Sequence, residues 1–127
     1  MLNSLICCLV IGLFLRLNNF KDIPECIYEL LSIKVLDLHK NKISSVSNDI
    51  KKLQNLKEID LSYNFLKILP KSFGELQKLA VLNIYQNNLK NLPKEVLELK
   101  NLLTINLRNN PITKQQIKEF NNRNIFF

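Results

Sequence analysis

The sequence predicts an α/β solenoid, in which each repeat of 23 residues contributes one short strand and one helical return. The clearest sign is an asparagine that recurs every 23 residues, at Asn18, Asn41, Asn64, Asn87 and Asn110. The residues three and five places before each of these asparagines are apolar in every copy. A second apolar pair, spaced three residues apart, follows in each complete copy, as at Phe73 and Leu76. A period of this length is typical of stacked repeat architectures.

Each part of the repeat has a predicted structural role. Alternate apolar residues such as Ile59 and Leu61 lie on one side of a pleat, so the strand buries one face and leaves the other open. The asparagine follows the strand, where its amide tolerates turn conformations and bonds to backbone groups. Stacked at one spacing, Asn18, Asn41, Asn64, Asn87 and Asn110 are expected to form a ladder.

The return segment is predicted to form short helical turns. Proline at one position in three copies, Pro24, Pro70 and Pro93, ends the strand before the return. The apolar residues that follow are three apart, which is a helical spacing. The outer side of each repeat is therefore expected to consist of short helical turns.

One domain, residues 1–127, accounts for the whole chain. It divides into an apolar lead-in or cap at 1–9, five repeats at 10–112 with the last incomplete, and a capping helix with its tail at 113–127. Thr113 and Gln116 have the spacing of a capping box, which predicts where that helix begins. Ile117 and Phe120 would share one face of it, and the apolar tail 125–127 is expected to pack against it.

The pattern LxxLxLxxNxLxxLPxxΦxxL, with Φ apolar, resembles the leucine-rich repeat family in its 23-residue LP-containing subtype. Ras-pathway scaffold proteins, related plant proteins and short bacterial proteins share that subtype. The resemblance spans about residues 10–112, and it implies a right-handed solenoid with a concave parallel β-sheet, short helical turns on the convex side and a role in binding other proteins. Two departures are Ser47, where proline is expected, and the loss of the pattern after Ile112.

The net charge of +7 raises the question of a nucleic-acid or anionic partner. The register places five cations against three anions on the predicted concave face, so only +2 of the excess lies there and the rest lies on the outer turns and flanks. The concave charges are Arg16, Lys34, Lys40, Lys57 and Arg108, with Asp37, Glu58 and Asp60. No basic stripe interleaved with aromatic residues is visible, so we expect no nucleic-acid partner.

No metal, cofactor or catalytic signature is visible in the sequence. Cys7, Cys8 and Cys26 are odd in number and include an adjacent pair, so they predict no disulfide framework, and His39 has no partners at ligand spacing. The motifs of serine hydrolases, zinc proteases and phosphate-binding loops are missing. Asp37 and Asp60 face each other on neighbouring strands, but on an open sheet they predict a solvated surface. We therefore expect that the protein is not an enzyme.

The amino-terminal segment permits two interpretations. Residues 5–15 are uninterrupted apolar residues or glycine, which suits the core of a secretory signal but is too short to span a bilayer. No basic residue precedes them, no small-x-small cleavage site follows, and Val10, Leu13 and Leu15 already hold the repeat frame. A first repeat is therefore favoured, in a cytoplasmic protein; the alternative is a secreted or surface adhesion or effector protein with an amino-terminal signal or anchor. An uncovered first strand would be buried by self-association through this edge, by a partner, or by residues 1–9 folding over it.

The open face of the sheet is the predicted binding surface for a protein or peptide. Tyrosine and arginine are frequent among residues that dominate interfaces, so Tyr63, Tyr85 and Arg108 form the predicted centre, with carboxylates as a seat for a basic partner side chain. The same residues are equally explained as solvent-tolerant positions of the repeat. The predicted contact residues are Asp37, His39, Glu58, Asp60, Tyr63, Asn83, Tyr85, Asn106 and Arg108.

Overall fold

The computed structural model describes residues 10–119 and the backbone of residues 124–126. It contains one parallel sheet of six strands, in which the spatial order follows the order along the chain. Its strands are β1 (Gly12–Phe14), β2 (Val35–Asp37), β3 (Glu58–Asp60), β4 (Val81–Asn83), β5 (Thr104–Asn106) and β6 (Asn124–Phe126). The predicted solenoid with a parallel sheet is therefore confirmed.

The pairing register of the first five strands follows the repeat. Leu36 pairs with Ile59, Ile59 with Leu82, and Leu82 with Ile105, so each partner lies 23 residues further along the chain. These central residues are fully or almost fully buried, whereas their neighbours on either side are partly exposed. The alternation of apolar residues therefore turns one face of each of these strands toward the core.

Short helical turns return the chain on the side opposite the sheet, as predicted. They are three 3-10 helices, η1 (Glu25–Glu29), η2 (Asn48–Lys52) and η3 (Lys71–Glu75), and one α-helix, α1 (Lys94–Leu97). Each buries apolar residues three apart, such as Phe73 and Leu76, against the strands. Proline precedes three of these helices, and Ser47 precedes η2, where its hydroxyl accepts a hydrogen bond from the Asp49 N–H at 3.1 Å. A side-chain cap therefore replaces the proline in that repeat.

Gly74 lets two of these turns approach closely. A Cβ at this position would lie 2.6 Å from the Cβ of Glu95 and 2.9 Å from its carbonyl oxygen. Glycine is thus required sterically for α1 to pack on η3.

The asparagine ladder is present and buried in the middle repeats. Asn64 Nδ2 donates to the carbonyls of Leu38 and Leu61, and its Oδ1 accepts from the Ile43 N–H at 2.9 Å. One amide thereby joins its own repeat to the preceding one through both its donor and its acceptor. We call the buried members, Asn41, Asn64 and Asn87, the amide column. Asn110 repeats these bonds at partial exposure, while Asn18 is exposed and donates only within its own repeat among the described contacts.

The turn after each strand differs from the prediction in one respect. We expected the asparagine to adopt the turn conformation, but the left-handed residue is the one before it. That residue has a φ between 53° and 60° in every repeat: Leu17, Lys40, Tyr63, Gln86 and Asn109. The asparagine is instead held by the hydrogen bonds of its side chain, and the residue before it adopts the left-handed backbone conformation of the turn.

The carboxyl-terminal end confirms a helix but corrects its surroundings. The helix α2 (Lys114–Glu119) begins after Thr113, whose hydroxyl accepts from the Gln116 N–H at 3.5 Å. The capping box is only half formed, because Gln116 Oε1 accepts from the Leu92 N–H at 3.3 Å instead. The sequence did not predict a strand here, but the backbone of 124–126 forms β6, parallel to β5. The packing of the tail against the helix stays a prediction. Phe120 and residues 1–9 lie outside the described part of the chain, as does Phe127.

The helices of the described residues are all short, and none of them is long and apolar enough to cross a membrane.

Tyr28 lies on η1 and is buried in the core beneath the convex turns. This burial raises its pKa to about 12, against the opposing effect of a hydrogen bond with the Ser47 backbone.

Candidate interaction surface on the concave sheet

The structure brings the predicted contact residues onto one face of the sheet. They lie on β2 to β5 or in the turns that follow those strands, and all are partly or fully exposed: Asp37, His39, Glu58, Asp60, Tyr63, Asn83, Tyr85, Asn106 and Arg108. The intervening side chains, such as Leu36 and Leu38, are fully buried. The period-two alternation therefore separates this face from the core.

Three aromatic rings form a continuous column across this face. The His39 and Tyr63 rings have centroids 5.1 Å apart and planes at 84°, and the Tyr63 and Tyr85 rings are also 5.1 Å apart, at 75°. Edge-to-face contacts of this kind are favourable. We call these three side chains the ring column. The Lys40 ammonium lies 5.3 Å from the centre of the Tyr63 ring, within the range of a cation–π contact.

The tyrosine hydroxyls of the ring column are held by neighbours. A hydrogen bond with Tyr63 raises the pKa of Tyr85, and Arg108 acts weakly in the opposite direction. The Asn109 amide donates to the Tyr85 hydroxyl at 3.0 Å. Tyr85 is therefore a neutral phenol at physiological pH, with its ring oriented before any partner arrives.

Asp37, Asp60, Asn83 and Asn106 have a structural role that the sequence interpretation missed. In four successive repeats, the side-chain oxygen at this position accepts the backbone N–H two residues further on. The acceptor–donor pairs are Asp37 with His39, Asp60 with Ser62, Asn83 with Tyr85, and Asn106 with Arg108, at 2.8 to 3.3 Å. This bond is an Asx-turn, and an Asp or Asn in each of these four repeats was the signal that could have predicted it.

Ser62 connects two repeats beneath the ring column. Its hydroxyl donates to Asp60 Oδ1 and lies 2.8 Å from His39 Nδ1, and Ser62 is almost fully buried. A hydroxyl has one proton to give, so His39 Nδ1 must be the donor to Ser62. The Asn83 amide donates to the other Asp60 oxygen at 2.9 Å. Asp60 is thus less available to a basic partner than the sequence suggested.

The Asp60, Ser62 and His39 cluster does not have the geometry of a hydrolase triad. In such a triad the imidazole lies between the carboxylate and the hydroxyl and takes the proton from the hydroxyl. Here the serine lies between the other two groups and receives a hydrogen bond from the imidazole. Among the described residues, no group of three His, Cys, Asp or Glu side chains could hold a metal ion.

Comparisons with known proteins show which proteins this chain and its fold resemble. Residues 32–89 match the family model described as leucine rich repeat. The fold also matches the solved structure of a leucine-rich-repeat protein from Leptospira interrogans, with a TM-score of 0.80 and 29% sequence identity. That match covers 100% of this chain but 40% of the Leptospira chain, so this chain spans less than half the length of that protein. A comparison with curated proteins found no match.

The structure is therefore a leucine-rich-repeat solenoid. Domains of this class generally mediate protein–protein interactions and are typically not enzymes. The assignment to the 23-residue LP-containing subtype rests on the sequence pattern and stays a prediction.

Proposed function

We propose that this protein is a non-enzymatic interaction module that binds a protein or peptide on its concave face, as a scaffold or signalling component. The main support for the proposal is the ring column, together with Arg108 at its carboxyl-terminal end. Three rings that each contact the next one in the column lose little side-chain freedom on binding, which lowers the entropic cost of association. Tyrosine and arginine are also the side chains most enriched at binding hot spots.

The size of the concave face favours a short epitope. The five strands β1 to β5 at about 4.8 Å spacing, each showing about five residues at about 3.3 Å, cover about 400 Å² in projection. A standard interface buries about 800 Å² on each partner. A peptide or a small loop therefore fits this face, and we expect binding weaker than nanomolar unless flanking loops contribute.

Selection from a random peptide library tests the proposal without assuming the identity of the partner. Peptides would be selected on the parent protein and counter-selected on a triple alanine variant of Tyr63, Tyr85 and Arg108. A matched control carries alanine at Lys51, Lys94 and Lys100, which are exposed on or beside the convex turns. We expect selected peptides that bind the parent and the control at least tenfold more tightly than the triple variant. Peptides that bind all three proteins equally would refute a concave binding site.

We also propose the cytoplasm as the location and the amino-terminal edge as a site of self-association. Ile11, Phe14 and Leu17 on and beside β1 are 55%, 65% and 69% exposed, which supports association at this edge. Light scattering of the parent and of Phe14→Ser would test self-association, because only the parent should form dimers.

Mass spectrometry of the native amino terminus would test the cytoplasmic location, since removal of residues 1–15 would indicate secretion.

A further inference from the structure

The loops that leave the strands form a second surface, along one flank of the sheet. Its exposed positions lie one, three and four residues after the ladder asparagine of each repeat, and we call them the ascending rim. Backbone bonds connect these loops in series: the Lys42 N–H donates to the Phe20 carbonyl at 2.8 Å, the Phe65 N–H to the Ile43 carbonyl at 2.8 Å, and the Asn88 N–H to the Leu66 carbonyl at 2.9 Å. Equivalent rim residues therefore lie about one strand spacing, about 4.8 Å, apart.

The ascending rim carries a concentrated positive charge. Five exposed lysines lie on it with a single acid, Asp22, which belongs to the first repeat. The lysines are Lys21, Lys42, Lys67, Lys90 and Lys114. The ion pairs found in the described part of the chain all lie elsewhere, on the convex turns: Lys52 with Glu29 and Asp49, and Lys71 with Glu95. Much of the net charge of +7 is thus gathered on one edge of the molecule.

Two large apolar side chains project from the middle of this rim. Phe65 is 55% exposed and Ile68 is 67% exposed. The repeat does not require apolar residues there, because the preceding repeat has Lys42 and Ser45 at these positions and the next has polar asparagines. The stack gains little burial from Phe65 and Ile68, so their exposure calls for an explanation outside the core.

We propose that the ascending rim docks on an anionic membrane surface. The cations are all lysines, and the compact, hydrated ammonium group suits a diffuse negative surface better than the bidentate recognition of single carboxylates, for which arginine is preferred. Phe65 and Ile68 enter the boundary between headgroups and acyl chains, and the lysines on either side contact anionic headgroups.

Co-sedimentation with lipid vesicles tests the proposal. The parent should bind vesicles rich in phosphatidylserine, should not bind vesicles of phosphatidylcholine alone, and should be released by added salt. Each lysine near an anionic surface strengthens binding about fivefold, so the variant Lys42→Gln, Lys67→Gln, Lys90→Gln should bind about 100-fold more weakly. The matched control Lys51→Gln, Lys94→Gln, Lys100→Gln has the same net charge and should keep most of the affinity.

A second pair of variants tests the apolar residues. The double variant Phe65→Ser, Ile68→Ser should weaken vesicle binding. The control Leu31→Ser, Leu103→Ser removes two exposed apolar side chains outside the rim and should not weaken it. Thermal melts identify any variant that has unfolded. The proposal is overturned if the parent does not bind phosphatidylserine vesicles, if the rim and control lysine variants weaken equally, or if polyglutamate binds the rim and vesicles do not.

Discussion

The amide column and the ring column cross the same three repeats, and they differ in their surroundings. Asn64 in the amide column is 4% exposed and bonds to the backbones of neighbouring repeats, whereas Tyr63 in the ring column is 39% exposed and contacts other side chains. These two residues are adjacent in the chain. The side of the turn on which a residue lies therefore decides whether it is buried between the repeats or exposed on the concave face.

The largest effect on stability is expected in the apolar core between the repeats. Leu61 is fully buried on the strand side of the amide column. Leu61→Ala should lower the free energy of unfolding by about 2 to 5 kcal/mol, because it leaves a cavity between repeats. Urea denaturation measures this loss, and a single transition should persist because neighbouring repeats stabilise one another.

The amide column itself gives an effect of similar size. Asn64→Ala leaves the buried Ile43 N–H and Leu38 carbonyl without the amide that bonds to them, and each such group costs about 1 to 3 kcal/mol. Asn18→Ala is the matched control, since this exposed amide bonds only within its own repeat among the described contacts. Equal melting temperatures for Asn64→Ala and the parent would contradict the role of the ladder.

Tyr28 extends the comparison to the pH dependence of stability, because Tyr28 is buried in the core and Tyr85 lies on the concave face. Its folded pKa of about 12 lies above the unfolded value of 10, so its contribution to stability is complete below pH 10 and is lost as pH rises toward 12. The parent should therefore lose stability between pH 10 and 12 relative to Tyr28→Phe, which cannot ionise. Denaturation across this range measures the difference, and parallel curves would refute the assignment.

The ring column should show the smallest effect on stability. Tyr85→Ala removes one edge-to-face contact and the exposed hydrogen bonds to Tyr63 and Asn109, so the free energy of unfolding should fall by no more than about 1.5 kcal/mol. Binding of a selected peptide should weaken much more. A loss of stability as large as that of Leu61→Ala would place Tyr85 in the core rather than on a binding face.

Periodicity explains why most of the fold could be predicted from the sequence. The strands, the helical turns and the buried positions all repeat with Asn64 and its equivalents, and five copies of one pattern reinforce each other. The strand β6 has no such support, because residues 124–126 lie outside the repeat register and pair with β5 through the backbone. The bond from the Leu92 N–H to Gln116 was missed for a related reason, since this tertiary donor competed with the local capping box for Gln116 Oε1.

The candidate site was predictable in position but not in detail. Strand alternation placed Asp60 and Tyr85 on one face, since it depends only on the pleat. Tyr63 lies in the left-handed turn after β3, outside the alternation. The contacts among rings, and the Ser62 bridge between Asp60 and His39, depend on side-chain conformations at neighbouring repeats, which periodicity does not determine. The left-handed turn fell on residues as unlike as Leu17 and Asn109, so no residue type indicated its place.

The most direct test of the division between the two columns measures peptide affinity and stability together for two variants. Titration of a selected peptide, with urea denaturation of the same samples, would compare Asn64→Ala with the triple alanine variant of Tyr63, Tyr85 and Arg108. We predict that Asn64→Ala loses stability but binds the peptide normally while folded, and that the triple variant keeps most of its stability but loses binding. A triple variant that binds like the parent, or that unfolds as readily as Asn64→Ala, would contradict the assignment of one column to stability and the other to binding.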